Sequence, residues 1–412
     1  MKNRSASVFN IAVFVAALGY FVDIYDLLLF TIVKKPSINA LHVIGGDAEL
    51  FASTRIINLQ MYGLLIGGII WGVLGDKKGR LSVLFGSIIL YSIANIFTGY
   101  CQTIDQYAWA RFVAGLGLAG ELGAGITLVS ELLPKNKRGI GTSLVAGLGL
   151  SGAVLAYFVF HFTQNWRTCY FIGGGLGFLL LILRISVAES GMFTNVKQQN
   201  IVRGNFLMFF TNFTRFKKYL KAILIGLPTW FCVGILINQS DRFASALHQI
   251  TKIDSGKSIM FSYIGVSIGG IVIGMLSQWM KSRKKPLYIF YFLTTLSVIL
   301  FLTPSVNNND TAMYWLCGAL GFATGFWAIF VTMGAEQFGT NLRATAATTI
   351  PNMVRGSLPL LNMLFKDLFY VSWKWSLVKS AAYTGAIVLV VTLVAAFFTE
   401  DTFHKDLNFV EQ

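Results

Sequence analysis

The stretch "ELLPKNKRG" at residues 131–139 has a counterpart, "EQFGTNLRA", at residues 336–344. In each, a Glu is followed seven positions on by an Arg: Glu131 by Arg138, Glu336 by Arg343. Gly120 and Gly325 stand at the same interval before their Glu. "GVLGDKKGR", beginning at Gly72, is matched by "GMLSQWMKS", beginning at Gly274, and "AESGMF" (188–193) by "TEDTF" (399–403). Four landmarks recurring in order describe a duplicated unit, and the chain is read as two halves of one design.

The composition says what is duplicated. Hydrophobic residues make up 55% of the 412, charged residues only 12%, and the mean hydropathy is +0.65. A soluble protein carries about 25% charged residues. About 20 apolar residues cross a bilayer, and windows of that length fall near 8–33, 53–74, 81–101, 106–131, 139–162, 166–187, 219–240, 258–280, 286–303, 312–335, 344–367 and 377–399. An all-α membrane protein of about twelve spans in two six-helix bundles is predicted, with bundles at 1–190 and 219–412 and a basic, polar linker at 191–218. The first window is too long for a signal-peptide core and is read as a retained span.

The net charge of +15 invites a nucleic-acid reading, but the cations sit in alternate loops: Lys77, Lys78 and Arg80; Lys135, Lys137 and Arg138; Lys197, Arg203, Arg215, Lys217 and Lys218; Lys281, Arg283, Lys284 and Lys285. That distribution orients these loops, and with them both termini, to the cytoplasm. The expected location is the cell membrane, the expected partners are the bilayer, protons and a small-molecule substrate, and the chain is expected to work as a monomer without nucleic acid. Cys101, Cys169, Cys232 and Cys317 form no C-x-x-C pair, and the four histidines form no metal cluster, so no cofactor or metal is expected. "SGKS" at 255–258 lacks the leading Gly of a phosphate loop. No nucleophile–base constellation points to an enzyme.

"GVLGDKKGR" resembles the loop signature of the major facilitator superfamily, with Gly72, Asp76, Gly79 and Arg80 at its positions and Leu81 where a second basic residue is common. "RFVAGLGLAGELGAG" (111–125) and "ELLPKNKRG" resemble that superfamily's fourth span and its closing segment. With "DIYD" (23–26) and "AESGMF", the chain is most similar to the branches that carry small metabolites with protons, the organic-acid symporters among them. The resemblance implies two bundles rocking about a midplane site. Gly72, Asp76, Gly79, Arg80, Glu131, Arg138, Glu336 and Arg343 would form a cytoplasmic gate whose ion pairs latch one state. The second-half copy has Gln278 in place of the Asp, so a latch there is expected to be weaker. Span five has no Gly-Pro motif, which leans against drug export.

Charges inside the spans carry the functional argument. Asp23, Asp26, Arg111, Glu121 and Arg355 all fall within apolar windows, where an ionised group costs at least about 2.5–3.5 kcal/mol. Asp23 and Asp26 are three apart and share a helix face. Three roles compete for them: a proton carrier, since low-dielectric surroundings favour a neutral carboxyl; a static pair with Arg111; and a cap on a local helix break. Glu121 is the rival carrier. Arg355, between Pro351 and Pro359, suits recognition of a carboxylate or phosphate or an interbundle pair with an acid. Tyr62, Gln60, Trp230, Asn238, Gln239, Trp327, Asn352 and Asn362 can add hydrogen bonds or stacking, or fill helix interfaces. The expected function is proton-coupled uptake of a small, anionic metabolite by alternating access. The alternatives are a proton-coupled exporter of a drug, metabolite or siderophore and a non-transporting membrane sensor.

Overall fold

A computed structural model describes residues 11–44, 46–133, 135–184, 204–247, 253–303, 310–406 and 409–411. The side chains of Arg80, Glu131 and Arg138 lie outside the described residues.

Among the described residues, eleven helices are long and apolar enough to span a membrane. Span one is Ile11–Ala40, span two Gly46–Lys78, span three Arg80–Tyr100, span six Trp166–Arg184, span eight Ser255–Trp279, span nine Lys284–Phe301 and span twelve Leu377–Phe397. Local chemistry sets their ends. The turn between spans two and three passes through Gly79 at φ 106°, which favours glycine. Thr103 caps span four by accepting from the Gln106 N–H at 3.2 Å, and Asn212 caps span seven through the Thr214 and Arg215 N–H groups. Span one was expected to stop at Val33, before Lys34 and Lys35. It runs on to Ala40 because both lysines find partners: Lys34 Nζ donates to the Asn238 carbonyl at 2.9 Å and Lys35 pairs with Asp241 at 2.7 Å.

The other spans are broken at functional depth. Span four is Ile104–Leu118 followed by Glu121–Leu132, and span ten is Asp310–Thr324 followed by Trp327–Glu336. The breaks fall at Gly120 and Gly325, the paired glycines of the repeat. Span five comprises Lys135–Leu150 and Gly152–Thr163. Span seven, Phe213–Phe231, ends in π-helical turns at Cys232–Ile237. Span eleven starts as Arg343–Gly356, breaks at Ser357, resumes at Leu358–Asn362 and finishes in π turns at Met363–Ser372. It is the polar span: Thr345, Thr348, Thr349, Asn352 and Arg355 are all buried. Pro351 inside it and Pro359 at the start of the short helix each remove a backbone donor.

Close approach is built on glycine. An added methyl group would strike the Phe112 backbone at Gly63, the Gln60 backbone at Gly115, the Gly318 backbone at Gly265 and the Ser262 backbone at Gly321. Spans two and four therefore pack as spans eight and ten do. Between the halves the same device recurs more sparsely: Gly68 against Asn352, Gly72 against Thr345, Gly123 against Thr348 and Gly147 against Ile271. Small faces let membrane helices approach and slide.

Gly321→Ala is expected to lower the unfolding midpoint in detergent by an amount equivalent to about 1–3 kcal/mol of overpacking. Gly175→Ala, where an added methyl meets nothing within 4 Å, is expected to leave the midpoint unchanged.

Candidate functional site

Arg111, in the first part of span four, is fully buried. Its guanidinium donates to Asp26 Oδ1 at 2.9 Å, to the Asp26 carbonyl at 3.0 Å, to Asn95 Oδ1 at 2.8 Å and to Gln60 Oε1 at 3.4 Å. The Tyr170 ring lies 5.2 Å away. Spans one, two, three and four meet on this one cation. Gln60 is itself held by the Leu27 carbonyl at 3.0 Å.

Asp23 lies one turn earlier on span one and in different company. It is fully buried, and neither carboxylate oxygen has a hydrogen-bond partner among the described residues. The charges that act on it through space are Arg355, Glu121, Asp26 and Arg184. Glu121, the first residue after the break in span four, is gripped by Arg184 through two bonds, Nη1 to Oε2 at 2.9 Å and Nη2 to Oε1. Arg184 escapes a reading of the sequence. A cation at the end of span six looks like a rim residue, and its partner is 63 positions away.

Arg355 stands on the second half, near enough for its charge to act on Asp23. Its Nη1 donates to Asn352 Oδ1 at 3.2 Å and its Nη2 to the Tyr20 hydroxyl at 3.3 Å; the Trp327 ring lies 5.5 Å from the cation. Tyr20, Trp230, Tyr263, Trp327, Thr229 and Arg355 line a narrow cavity. Of the residues proposed from sequence, Trp230 and Trp327 are therefore at the cavity. Asn352 is behind it, orienting Arg355 and donating to the Ala119 carbonyl at 2.7 Å. Tyr20, Tyr263 and Thr229 were missed, although Tyr20 is one helical turn from Asp23. Three of the expected residues lie elsewhere. Tyr62 is 46% exposed on the outer face of span two, because its helix turns Met61 and Leu64 inward instead. Asn238 and Gln239 line a separate cleft with Lys34, Glu49, Asp241 and Arg242, since the π turns carry them past the cavity to the rim where spans one and seven meet.

The opposite rim holds the loop signature. Asp76 Oδ1 accepts from the Ala344 N–H at 3.1 Å, and Oδ2 from the Thr345 N–H at 2.8 Å and the Thr345 hydroxyl at 2.6 Å. Thr345 Oγ1 also reaches the Gly72 carbonyl at 3.2 Å. A carboxylate of the first half thus sits on the N-terminus of span eleven in the second, where free N–H groups and the helix dipole favour an anion. Arg343 is buried beside it at the start of that helix. Glu336 differs from the expected gate: it binds Arg283 at 2.8 Å and accepts from the Thr402 hydroxyl at 2.6 Å, all within the second half. Asp401 closes that cluster through Ser282 Oγ and the Arg283 N–H. Burial works against its charged form, but hydrogen bonds from Ser282 and the backbone outweigh it and hold its pKa below the usual carboxylate value.

With this geometry in hand, comparison with known proteins places the chain. The sequence profile of the Major Facilitator Superfamily matches residues 9–361, and the chain belongs to that family. The sialic acid transporter NanX of Escherichia coli is 26% identical over 354 residues, covering 83% of each chain. The 3-(3-hydroxy-phenyl)propionate transporter of Escherichia coli is 25% identical over 331 residues, covering 74% of this chain and 76% of its own. The structure of the proton:xylose symporter XylE bound to 6-bromo-6-deoxy-D-glucose superposes with a TM-score of 0.80, covering 97% of this chain and 98% of that one at 15% identity. The protein is a multi-pass membrane transporter of small metabolites and not an enzyme.

Asp26→Asn strands the buried Arg111 cation and is expected to cost about 3–5 kcal/mol; adding Arg111→Gln should restore most of it, read from unfolding midpoints in detergent. The depressed pKa of Asp401 means that its contribution to stability is present above the unfolded carboxylate value and is lost as pH falls through the folded one. Midpoints of the wild type and Asp401→Asn should differ by a constant amount near neutrality and converge below about pH 4.

Proposed function

We propose that the transporter moves a proton and a small organic anion inward together. The observation that supports this reading is Asp23, buried without a hydrogen-bond partner and acting on Arg355 across the interface between halves. A bare carboxylate in such surroundings is costly. When ionised, Asp23 balances Arg355. A proton on Asp23 cancels its charge and leaves the guanidinium to a substrate carboxylate. Loading both partners then adds no net charge to the cavity, whereas loading the anion alone places it beside Asp23. Asp26 and Glu121 are each already neutralised by an arginine, and a proton arriving there must displace it. That favours Asp23 as the carrier, with Arg111 and Arg184 holding the other two acids in place. The named substrates of both relatives, sialic acid and a phenylpropionate, carry a carboxyl group, in keeping with Arg355 as the anion site.

Alternating access follows from the two rims. The Asp76 contact closes one, and the Lys34–Asn238 and Lys35–Asp241 contacts close the other; releasing one at a time opens the cavity to one side. We take the rim carrying Asp76 and Arg283 as cytoplasmic, with both termini, from the excess of cations in its loops. The halves are taken as 1–190 and 219–412, moving about the 191–218 linker within a monomer.

Vesicles reconstituted with the protein and given an acidic exterior should accumulate the solute. Asp23→Asn is expected to reduce that accumulation by about tenfold or more while substrate exchange at equal pH continues. Accumulation that survives in Asp23→Asn removes Asp23 from the carrier role. Acid-driven loss of preloaded solute indicates export, and no movement of any solute indicates a sensor.

A further inference from the structure

The cavity beside Arg355 constrains the shape of the anion as well as its charge. Among the described residues, Arg355 is the one cation lining it, and no acid does. Two indoles and two phenol rings, Trp230, Trp327, Tyr20 and Tyr263, make most of the remaining wall, together with aliphatic side chains. Three hydrogen-bonding atoms of these buried residues, Thr229 Oγ1, Trp327 Nε1 and Arg355 Nε, have no hydrogen-bond partner among the described residues. Buried polar atoms left open on the wall of a cavity are where ligand atoms bind. In this conformation the walls stand close together and leave room for about one water-sized group, so a substrate must part them.

We propose that the substrate is a small, planar aromatic monocarboxylate, an inference that rests on Arg355 as the anion site. The carboxylate accepts from Arg355 Nε and its neighbouring Nη. The ring lies against the Trp230 and Trp327 indoles, where offset or edge contacts between aromatic faces add to the burial of apolar area. Thr229 takes one polar substituent. A polyhydroxy acid of the same size would bury more hydroxyl groups than Thr229 Oγ1 and Trp327 Nε1 can receive. A dicarboxylate would bring a second charge for which the wall holds no cation, close to Asp23. The substrates of the two relatives, sialic acid and a phenylpropionate, point in different directions, and the walls of this cavity decide for the aromatic acid.

Four probe anions test this on the wild-type protein in lipid nanodiscs, by thermal shift and tryptophan fluorescence: benzoate, cyclohexanecarboxylate, phthalate and gluconate. Benzoate is expected to bind at least about fivefold more tightly than cyclohexanecarboxylate, the size of an aromatic contact of this kind, and more tightly than phthalate or gluconate. Trp327→Leu combined with Trp230→Leu should bring benzoate and cyclohexanecarboxylate to within about twofold. Arg355→Gln should abolish binding of both. Gluconate or phthalate binding as tightly as benzoate overturns the proposal, as does a benzoate preference untouched by the double tryptophan change, or no binding of benzoate at all. The wild-type panel decides even where a variant fails to fold. Vesicle uptake separates this inference from the symport reading: benzoate carried without a proton refutes symport alone, and proton-driven gluconate uptake refutes the aromatic substrate alone.

Discussion

A guanidinium sealed inside a membrane protein needs a full set of acceptors, and Arg111 finds them only where four spans converge. Asp26, Gln60 and Asn95 come from spans one, two and three to meet it on span four. Removing any one acceptor leaves a buried donor whose desolvation is uncompensated, so the rotation of each helix about its axis is coupled to the others. For span one the consequence is functional. With Asp26 fixed on Arg111, Tyr20 and Asp23, at intervals of three along the same helix, are aimed at the second half, where Tyr20 meets Arg355. The carboxylate paired with Arg111 holds the unpaired one in position.

The contacts within each half and those between the halves share the glycine device but differ in its density and in what holds their ends. Inside a half, glycine on one helix lies against backbone on the next, as Gly63 does on Phe112 and Gly265 on Gly318. Such surfaces leave no room for adjustment and behave as rigid bodies. Between halves the ends are held by a few directed polar bonds. At one rim a carboxylate sits on a helix N-terminus; at the other, a lysine reaches a carbonyl and a second lysine reaches Asp241. Bonds of this kind are individually modest once water can replace them, which suits surfaces that must part and rejoin. The asymmetry also follows the repeat: the position of Asp76 is Gln278 in the second half, so the carboxylate that caps a helix of the opposite half is present once.

Much of the fold was legible in the sequence. Span number, span position and the duplication came from apolar length and recurring landmarks, and the helices fall close to those windows. The largest departures are where polarity misleads. Span one outran its apolar window because Lys34 and Lys35 have partners on the other half. Span eleven, expected from the window at 344–367, is far less apolar than that window implied, and it crosses inside the protein, where its threonines, Asn352 and Arg355 are shielded from lipid by other helices.

The sequence by itself determined which residues had to be important: charges inside apolar runs demand a protein environment, whatever that environment turns out to be. It determined the two-fold plan and the small-residue faces for the same reason, since both are written in local spacing. Only the tertiary structure decided the pairings. Asp26 with Arg111, Glu121 with Arg184 and Asp23 opposite Arg355 join residues from different spans, and nothing in helical periodicity says which of several buried acids a given arginine will face. The rotation of each helix decided the rest, turning Tyr62 to the outer surface and carrying Asn238 to the rim while gathering four aromatic rings around one guanidinium. Those rotations are set by packing summed over the whole bundle, an interaction that no short stretch of chain contains.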